Sequence, residues 1–275
     1  MPAFSSKYVD IDGAILHYLH TGPTTLPDVL PALDRGTPIL LVHGGGRNAG
    51  DWKRQLAGLG DRHSVVALDL PAHGRSTGIE ALPTIEDYAR VVEAFARVVL
   101  RRKAVLVGWS MGFSIALTLA ARHPERWAGL VLMAGLPYWR PEPGFLDPLH
   151  DVVRGRLPQQ FNTLAFSPAT PMDLMREAWM EQVKTDPRVL YGDFLAGSVF
   201  DGRSSLARAR TPTLVVHGAD DKLVTLEQAQ ATAGAITGAR LEVIPQAGHI
   251  AQLEQSERFN EILAHFVERV AERAS

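Results

Sequence analysis

Three residue types that together perform nucleophilic catalysis occur in one order along this chain, each in a turn that contains glycine. Ser110 lies in the segment GWSMG, Asp220 and Asp221 lie in HGADD, and His249 lies in AGH. A serine hydroxyl is a weak nucleophile, so it needs a base that takes its proton and an acid that orients the base. The order serine, aspartate, histidine predicts that Ser110 is such a nucleophile, with His249 as its base.

A run of glycines provides a second candidate element of the same chemistry. His43, Gly44, Gly45 and Gly46 directly follow an apolar run at 39–42. Acyl transfer develops negative charge on a carbonyl oxygen, and backbone N–H groups that no side chain obstructs can bind that charge. We predict that the N–H groups of Gly45 and Met111 form this oxyanion hole, with Gly44 as a further substrate-binding residue.

The elements that must position these residues are short apolar runs alternating with stretches of helical periodicity. Runs that lack polar residues on either face are typical of parallel strands covered by helices, so the pattern predicts a doubly wound, mostly parallel α/β sheet. At the N-terminus, β-rich residues on both sides of Asp12-Gly13 predict an antiparallel hairpin. The predicted strands lie at 39–42, 64–68, 104–107, 129–133, 213–216 and 241–244, and the predicted helices at 51–59, 85–100, 111–122, 226–236 and 256–273.

One segment, residues 136–206, interrupts this alternation. It is rich in proline and holds nine of the chain's 20 aromatic residues, which predicts a helical lid inserted into a core domain formed by 1–135 and 207–275. Its aromatic residues, together with Met172, Met175 and Met180, favour an apolar small-molecule substrate.

Composition excludes several classes of function. The chain has 275 residues, with 28 basic against 30 acidic side chains, so it lacks the positive excess that nucleic acids and anionic membranes attract. The absence of cysteine excludes a thiolate nucleophile and cysteine-ligated metal sites. No signal-like start or long apolar run is present, so we expect a cytoplasmic protein. The histidines outside the motifs show no metal-ligand spacing, so we expect neither a metal nor a cofactor. The oligomeric state stays open.

The motifs resemble those of the α/β-hydrolase superfamily, in particular its group of small lidded esterases, lactonases, haloperoxidase-like enzymes and carbon–carbon hydrolases. The resemblance is carried by LVHGGG (41–46), DLPAHGRS (69–76), GWSMG (108–112), HGADDKLV (217–224), and AGH (247–249) followed by Glu254. It implies the α/β-hydrolase fold and a catalytic triad of Ser110, Asp221 and His249. Asp221 is preferred to Asp220 because the acid of these families usually lies three residues after the glycine.

Some residues depart from the family pattern or fall outside it. Trp109 stands where many relatives have a histidine or another medium-sized residue, and Phe113 stands where glycine or alanine is common. Either the packing around Phe113 is adjusted or its ring narrows the acyl pocket. Glu254 and Glu257 are predicted to cap or charge the start of the last helix.

The reaction class retains alternatives. The first hypothesis is hydrolysis of small to medium apolar carboxylic esters or lactones through an acyl-enzyme. The second is carbon–carbon bond hydrolysis of diketone-like acids, suggested by the three glycines, for which Arg75 and Arg140 are candidate carboxylate ligands. More remote are a non-catalytic ligand-binding protein of this fold and an NAD(P)-dependent oxidoreductase. The last rests on G-x-G-x-x-A at 44–49 with Asp69 after the next strand, and the preceding hairpin argues against it.

Overall fold

A single sheet positions every candidate residue. In a computed structural model that describes residues 4–273, eight strands form one sheet in the order β1-β2-β4-β3-β5-β6-β7-β8. β1 and β2 pair antiparallel, as do β2 and β4, and the remaining neighbours pair parallel. The mostly parallel sheet with an antiparallel N-terminal hairpin is therefore confirmed. The strands are β1 (Ser5–Ile11), β2 (Ala14–His20), β3 (Ile39–Val42), β4 (Val65–Leu68), β5 (Ala104–Trp109), β6 (Trp127–Met133), β7 (Thr213–Gly218) and β8 (Arg240–Ile244).

Helices cover both faces of this sheet. Along β3 all four side chains are fully buried. Leu40 and Val42 join the hydrophobic cluster that contains the helices at 85–99 and 111–122, and Ile39 and Leu41 join the cluster that contains the helices at 53–59 and 256–272. Successive residues of a strand point to opposite faces, which explains why the apolar runs are continuous. The helices are α1 (Lys53–Leu59), α2 (Ile85–Val99), α3 (Met111–Arg122), α4 (Asp147–Val153), α5 (Met172–Gln182), α6 (Pro187–Val199), α7 (Arg203–Arg208), α8 (Leu226–Ala235), α9 (Ala251–Glu254) and α10 (Ser256–Glu272), with 3₁₀ turns at Ala49–Trp52, Pro124–Arg126 and Thr163–Ala165.

The first predicted helix differs at its start. Instead of one helix over 51–59, a 3₁₀ turn at Ala49–Trp52 precedes α1. The side chain of Asn48 accepts a hydrogen bond from the N–H of Gly50, which closes a tight turn before the α-helix begins. The glycine loop therefore leads into a tight turn that has its own cap.

The 136–206 segment follows β6 and contains α4, α5 and α6. Its predicted end at 206 falls inside α7, whose six residues end at Arg208. Backbone and side-chain hydrogen bonds connect the segment to the loops at the carboxyl ends of the parallel strands. None of the helices within residues 4–273 is long and apolar enough to cross a membrane.

Candidate active site

Ser110 occupies a strained turn between β5 and α3. Its φ of 54° and ψ of −115° are unusual for a residue with a side chain. The turn is this tight only because its flanking residues are glycines: a Cβ on Gly108 would lie 2.1 Å from the Gly112 carbonyl oxygen, and one on Gly112 would lie 2.4 Å from the Val42 carbonyl oxygen. The N–H of Ser110 donates to the Met133 carbonyl (3.0 Å). The strain is held by packing on two neighbouring strands.

His249 and Asp221 meet at the ends of β8 and β7. The Nδ1 atom of His249 lies 2.9 Å from Oδ2 of Asp221, and both residues are buried. The other oxygen of Asp221 accepts the N–H groups of Leu223 and Val224. Burial by itself would raise the pKa of Asp221, but the hydrogen bond and charge of His249 and these two N–H groups outweigh it and hold the pKa below its usual value. Asp221 is therefore an ionised acceptor for the imidazole.

The neighbouring Asp220 faces elsewhere. Its Oδ2 accepts the hydroxyl of Ser167, in the 136–206 segment, at 2.6 Å. Of the two adjacent acids, the structure thus brings Asp221 to His249 and joins Asp220 to the inserted segment.

Three residues that sequence reasoning did not assign to the site hold the backbone around His249. The indole N–H of Trp109 donates to the His249 carbonyl (2.9 Å), and the His249 N–H donates to the Ala165 carbonyl (2.9 Å). One carboxylate oxygen of Glu254 accepts the N–H groups of Gly248 (2.8 Å) and Ile250 (3.2 Å).

The other oxygen of Glu254 accepts the N–H of Ser167 (2.7 Å) and the hydroxyl of Thr170 (2.5 Å). Glu254 therefore joins the histidine loop to the 136–206 segment. The sequence-based prediction that it caps or charges the start of the last helix is wrong. The one sequence signal that could have indicated this contact is the position of Glu254, five residues after His249. An acid at that position is equally typical of the start of an ordinary helix.

Exposure differs sharply within the two candidate oxyanion loops. Gly45 is partly exposed between buried Gly44 and Gly46, and Ser110 and Met111 are partly exposed between buried Trp109 and Gly112. A Cβ on Gly44 would lie 3.0 Å from Ser110 Cβ, so the two loops are in contact. Within residues 4–273 no hydrogen bond of the structure uses the N–H of Gly45 or of Met111. Two unengaged donors therefore lie on loops that meet at Ser110.

His43 supports the glycine loop as a neutral imidazole. Its Nε2 accepts the N–H of Leu70 (3.1 Å), so its Nδ1, 2.8 Å from the Gly44 carbonyl, is the donor. Burial and the neighbouring His73 lower the pKa of His43 to about 3, although the Gly44 bond opposes the shift. This tautomer fixes the start of the loop.

The residues behind the alternative hypotheses have other partners. Asp69, which a dinucleotide site would place on a ribose, accepts the N–H groups of Ala49 (2.6 Å) and Arg75 (2.9 Å) and lies 2.6 Å from Nδ1 of His17. Burial raises the pKa of Asp69, but these bonds outweigh it and lower the pKa overall. Arg140 donates to the carbonyls of Trp139, Val199 and Phe200.

Phe113 lies in the core. Its ring is fully buried, and a Cβ on Gly135 would come within 2.4 Å of Phe113 Cβ, so a glycine opposite the ring makes room for it. Of the two interpretations offered by the sequence, this packing favours local adjustment.

Comparison with known proteins places this geometry in a family. The model of the alpha/beta hydrolase family matches residues 39–262, which include every candidate residue above. The chain belongs to this family. The order of motifs and the sheet topology follow from that membership.

Individual alpha/beta hydrolases similar to this one have diverse names. A pimeloyl-[acyl-carrier protein] methyl ester esterase of Methylococcus capsulatus is 30% identical over 85% of this chain and 95% of its own length. A 2-hydroxy-6-oxo-6-phenylhexa-2,4-dienoate hydrolase of Comamonas testosteroni is 25% identical over 94% of this chain and 93% of its own. Among solved structures, an esterase of Exiguobacterium antarcticum superposes with a TM-score of 0.82 at 22% identity, covering 98% of this chain and all of its own. The two sequence relatives support a hydrolase and differ in their named substrates, and the solved structure shows the shared fold.

Proposed function

We propose that this protein is a serine hydrolase that cleaves small to medium, apolar carboxylic esters or lactones through an acyl-enzyme. The observation that carries the proposal is the bond between His249 Nδ1 and ionised Asp221. Because an ionised carboxylate only accepts, Nδ1 carries a proton, and Nε2 is the ring nitrogen that can act as the base. Ser110, on the strained turn beside Trp109, is the nucleophile for that base.

The proposed reaction follows from these roles. His249 Nε2 takes the proton of Ser110 Oγ as this oxygen attacks the carbonyl carbon, and the carbonyl electron pair moves onto the carbonyl oxygen. The N–H groups of Gly45 and Met111 stabilise that oxyanion. When the intermediate collapses, His249 protonates the departing alkoxide. Water then attacks the acyl-enzyme, gives a proton to His249, and releases the acid as Ser110 regains its proton.

The 136–206 segment is proposed to be the lid that sets substrate preference. Its contacts with the site are direct, since the carbonyl of Ala165 binds His249 and Leu190 packs on Gly46. The segment also carries a ring cluster of Trp139, Phe145 and Phe194, with centroids 5.4 to 6.3 Å apart. Apolar rings of this kind favour apolar substrates over charged ones.

Carbon–carbon hydrolysis of a diketone-like acid is the second candidate, because a relative named as a dienoate hydrolase matches 94% of this chain. That reaction must also bind a substrate carboxylate, and the guanidinium of Arg140 is engaged by backbone carbonyls of the lid itself. Arg75 is exposed and bonds Asp69 through its backbone N–H. The side-chain contacts therefore support the ester hypothesis more strongly.

The test is Ser110→Ala, assayed with a short p-nitrophenyl ester. Catalysis should fall by about 10⁶-fold, the loss typical of removing a serine nucleophile. The matched control is Ser114→Ala, one turn along the helix that follows Ser110. The hydroxyl of Ser114 lies 3.4 Å from the Leu136 carbonyl. Turnover retained by folded Ser110→Ala would refute the nucleophile. A panel of esters, lactones and dienoate diketones, compared by kcat/KM, then decides which bond is the natural target.

A further inference from the structure

A carboxylate from the lid is buried directly behind the glycine loop. Asp193 lies in α6, and its side chain is about 1% exposed. Its Oδ2 accepts the N–H of Gly46 (2.7 Å) and lies 2.8 Å from Nε2 of His73, and its Oδ1 accepts the hydroxyl of Tyr88 (2.6 Å). One lid side chain thus joins the glycine loop, the loop after β4, and α2.

The hydrogen bonds assign a charge to its partner. Nδ1 of His73 lies 2.8 Å from the Pro71 carbonyl, which can only accept, so Nδ1 carries a proton. Nε2 faces Asp193, so it must carry one as well if the carboxylate is ionised. Burial lowers the pKa of His73, but the charge and hydrogen bond of Asp193, helped by the Pro71 carbonyl and Asp69, raise it overall. His73 and Asp193 therefore form a buried ion pair.

The pair lies close to the predicted oxyanion donor. A Cβ on Gly45 would be 3.2 Å from Asp193 Cβ and 3.5 Å from its Oδ2. Leu190, one turn earlier in α6, covers Gly46 in the same way. Asp193 holds the N–H of Gly46 and so fixes the peptide plane that follows Gly45. The plane that precedes Gly45 is held at the Gly44 carbonyl, which accepts the N–H of Arg47 (3.2 Å). With both flanking planes fixed, the free N–H of Gly45 keeps one direction.

The pairing also matters electrostatically. An unpaired carboxylate this close to the loop would oppose the negative charge that develops on the substrate oxygen, since charges interact strongly where water is excluded. With His73 as its counter-ion, Asp193 anchors the loop without adding net negative charge behind it.

We propose that Asp193 is a positioning residue: through Gly46, and balanced by the His73 cation, it aims the Gly45 N–H at the oxyanion, so that the lid completes the catalytic machinery. The inference rests on the proposed function above. Asp193 does not touch the reacting atoms, so its effect is expected on kcat and only weakly on KM.

The test compares Asp193→Asn with Asp186→Asn, an acid at the N-cap of the same helix whose side chain, among the residues that the structure describes, bonds only Arg188. Asp193→Asn should lower kcat for a p-nitrophenyl ester by about 10- to 100-fold, below the 10²- to 10³-fold loss of a whole oxyanion donor. KM should change less than about twofold, whereas Asp186→Asn should keep wild-type kcat.

A reactive inhibitor separates positioning from general damage. Binding of a trifluoromethyl ketone, whose adduct carries an oxyanion, should weaken in parallel with kcat/KM, and binding of the matching unreactive amide should be unchanged. Equal weakening of both, or unchanged kcat in folded Asp193→Asn, would overturn the inference. Ser110→Ala run in the same assay tests the proposed function separately: its retained activity would refute that function, whereas its inactivity together with unchanged kcat in Asp193→Asn would refute the inference alone.

If Asp193→Asn does not fold, two measurements still decide. Tyr88→Phe removes the bond to Oδ1 of Asp193, together with the bond that the hydroxyl accepts from the N–H of Leu82 (3.0 Å), and leaves the bonds of Asp193 to Gly46 and His73 in place. It should lower kcat by about two- to fivefold with KM unchanged. Nitrogen NMR of histidine-labelled wild-type protein should show both ring nitrogens of His73 predominantly protonated at pH 6.5, where a free imidazole is half neutral. A neutral His73, or unchanged kcat in Tyr88→Phe, would overturn the inference.

Discussion

Glu254→Gln is the most informative single change in the histidine loop. The carboxylate accepts four hydrogen bonds, two per oxygen, from the histidine loop and from the 136–206 segment. Glutamine keeps the size and one oxygen, but its NH₂ group must then face two donors. The variant therefore removes two acceptor bonds while it preserves packing.

The expected magnitude follows from those two bonds. Hydrogen bonds to a charged group contribute about 1.5 to 3 kcal/mol each when buried. Glu254 is only partly buried, so we discount the sum to a loss of about 2 to 3 kcal/mol in the free energy of unfolding. For a chain of this length that loss lowers Tm by about 4 to 12 °C. Because Gly248 and Ile250 flank His249, kcat should fall by about tenfold or more, as expected of a small misplacement.

The assay is thermal unfolding and ester hydrolysis of Glu254→Gln beside Glu257→Gln. Glu257 lies in the exposed first turn of α10, and the sequence alone assigns both acids the same capping role. We expect Glu257→Gln to change Tm by less than about 1.5 °C, as an exposed surface substitution normally does, and to leave kcat unchanged. If the two variants behave alike in both Tm and kcat, the bonds of Glu254 do not position the histidine and the reasoning is wrong.

The remaining predictions concern the acid, the tryptophan and pH. Asp221→Asn should lower kcat by about 10⁴-fold because the required imidazole tautomer is lost. Asp220 faces Ser167, so Asp220→Asn should keep kcat within a few-fold of the wild-type value. The reverse ranking of the two kcat values would assign the acid to Asp220. Trp109→Phe leaves the His249 carbonyl without its donor and should lower the free energy of unfolding by about 1 to 3 kcal/mol. In Trp127→Phe the lost indole N–H has no partner within residues 4–273, so urea unfolding should show a smaller loss. His43 has its ordinary pKa of 6.5 in the unfolded chain, and burial lowers this pKa to about 3 in the folded chain. As the pH drops below about 6.5, the free energy of unfolding should therefore decrease by up to about 1.4 kcal/mol per pH unit. Urea titrations that show no decline between neutral pH and about pH 5 would contradict the buried, neutral His43.

The sequence predicts the sheet well because its signals are local. The four residues of β3 are apolar on both faces, and Asp12 and Gly13 both adopt the positive φ of a hairpin turn. The sequence-based prediction places the start of the first helix too early, because the side chain of Asn48 caps a 3₁₀ turn that precedes α1. This cap is a single bond between one side chain and one N–H, so the apolar pattern does not reveal it.

The supporting contacts of the site are non-local, and this is why the sequence does not reveal them. Glu254 bonds Ser167, 87 residues earlier, and Asp193 bonds Gly46, 147 residues earlier. Asp193 belongs to no recognisable motif, and Glu254, although it follows the AGH motif, is locally indistinguishable from an ordinary acidic residue at a helix start. The motif residues Ser110 and His249, by contrast, carry their glycine turns beside them.

The Ala165 carbonyl that binds the N–H of His249 has a consequence for how this protein can change. Because the backbone of the 136–206 segment holds His249, the proposed catalytic base, this segment cannot be exchanged independently of the site. Grafting the 136–206 segment of a relative onto this core would replace the acceptor for His249 and the anchor of Gly46 together. We therefore expect such chimeras to have a lower kcat even where their substrate preference changes. Restoring kcat should require compensating substitutions in the loops that contact the 136–206 segment.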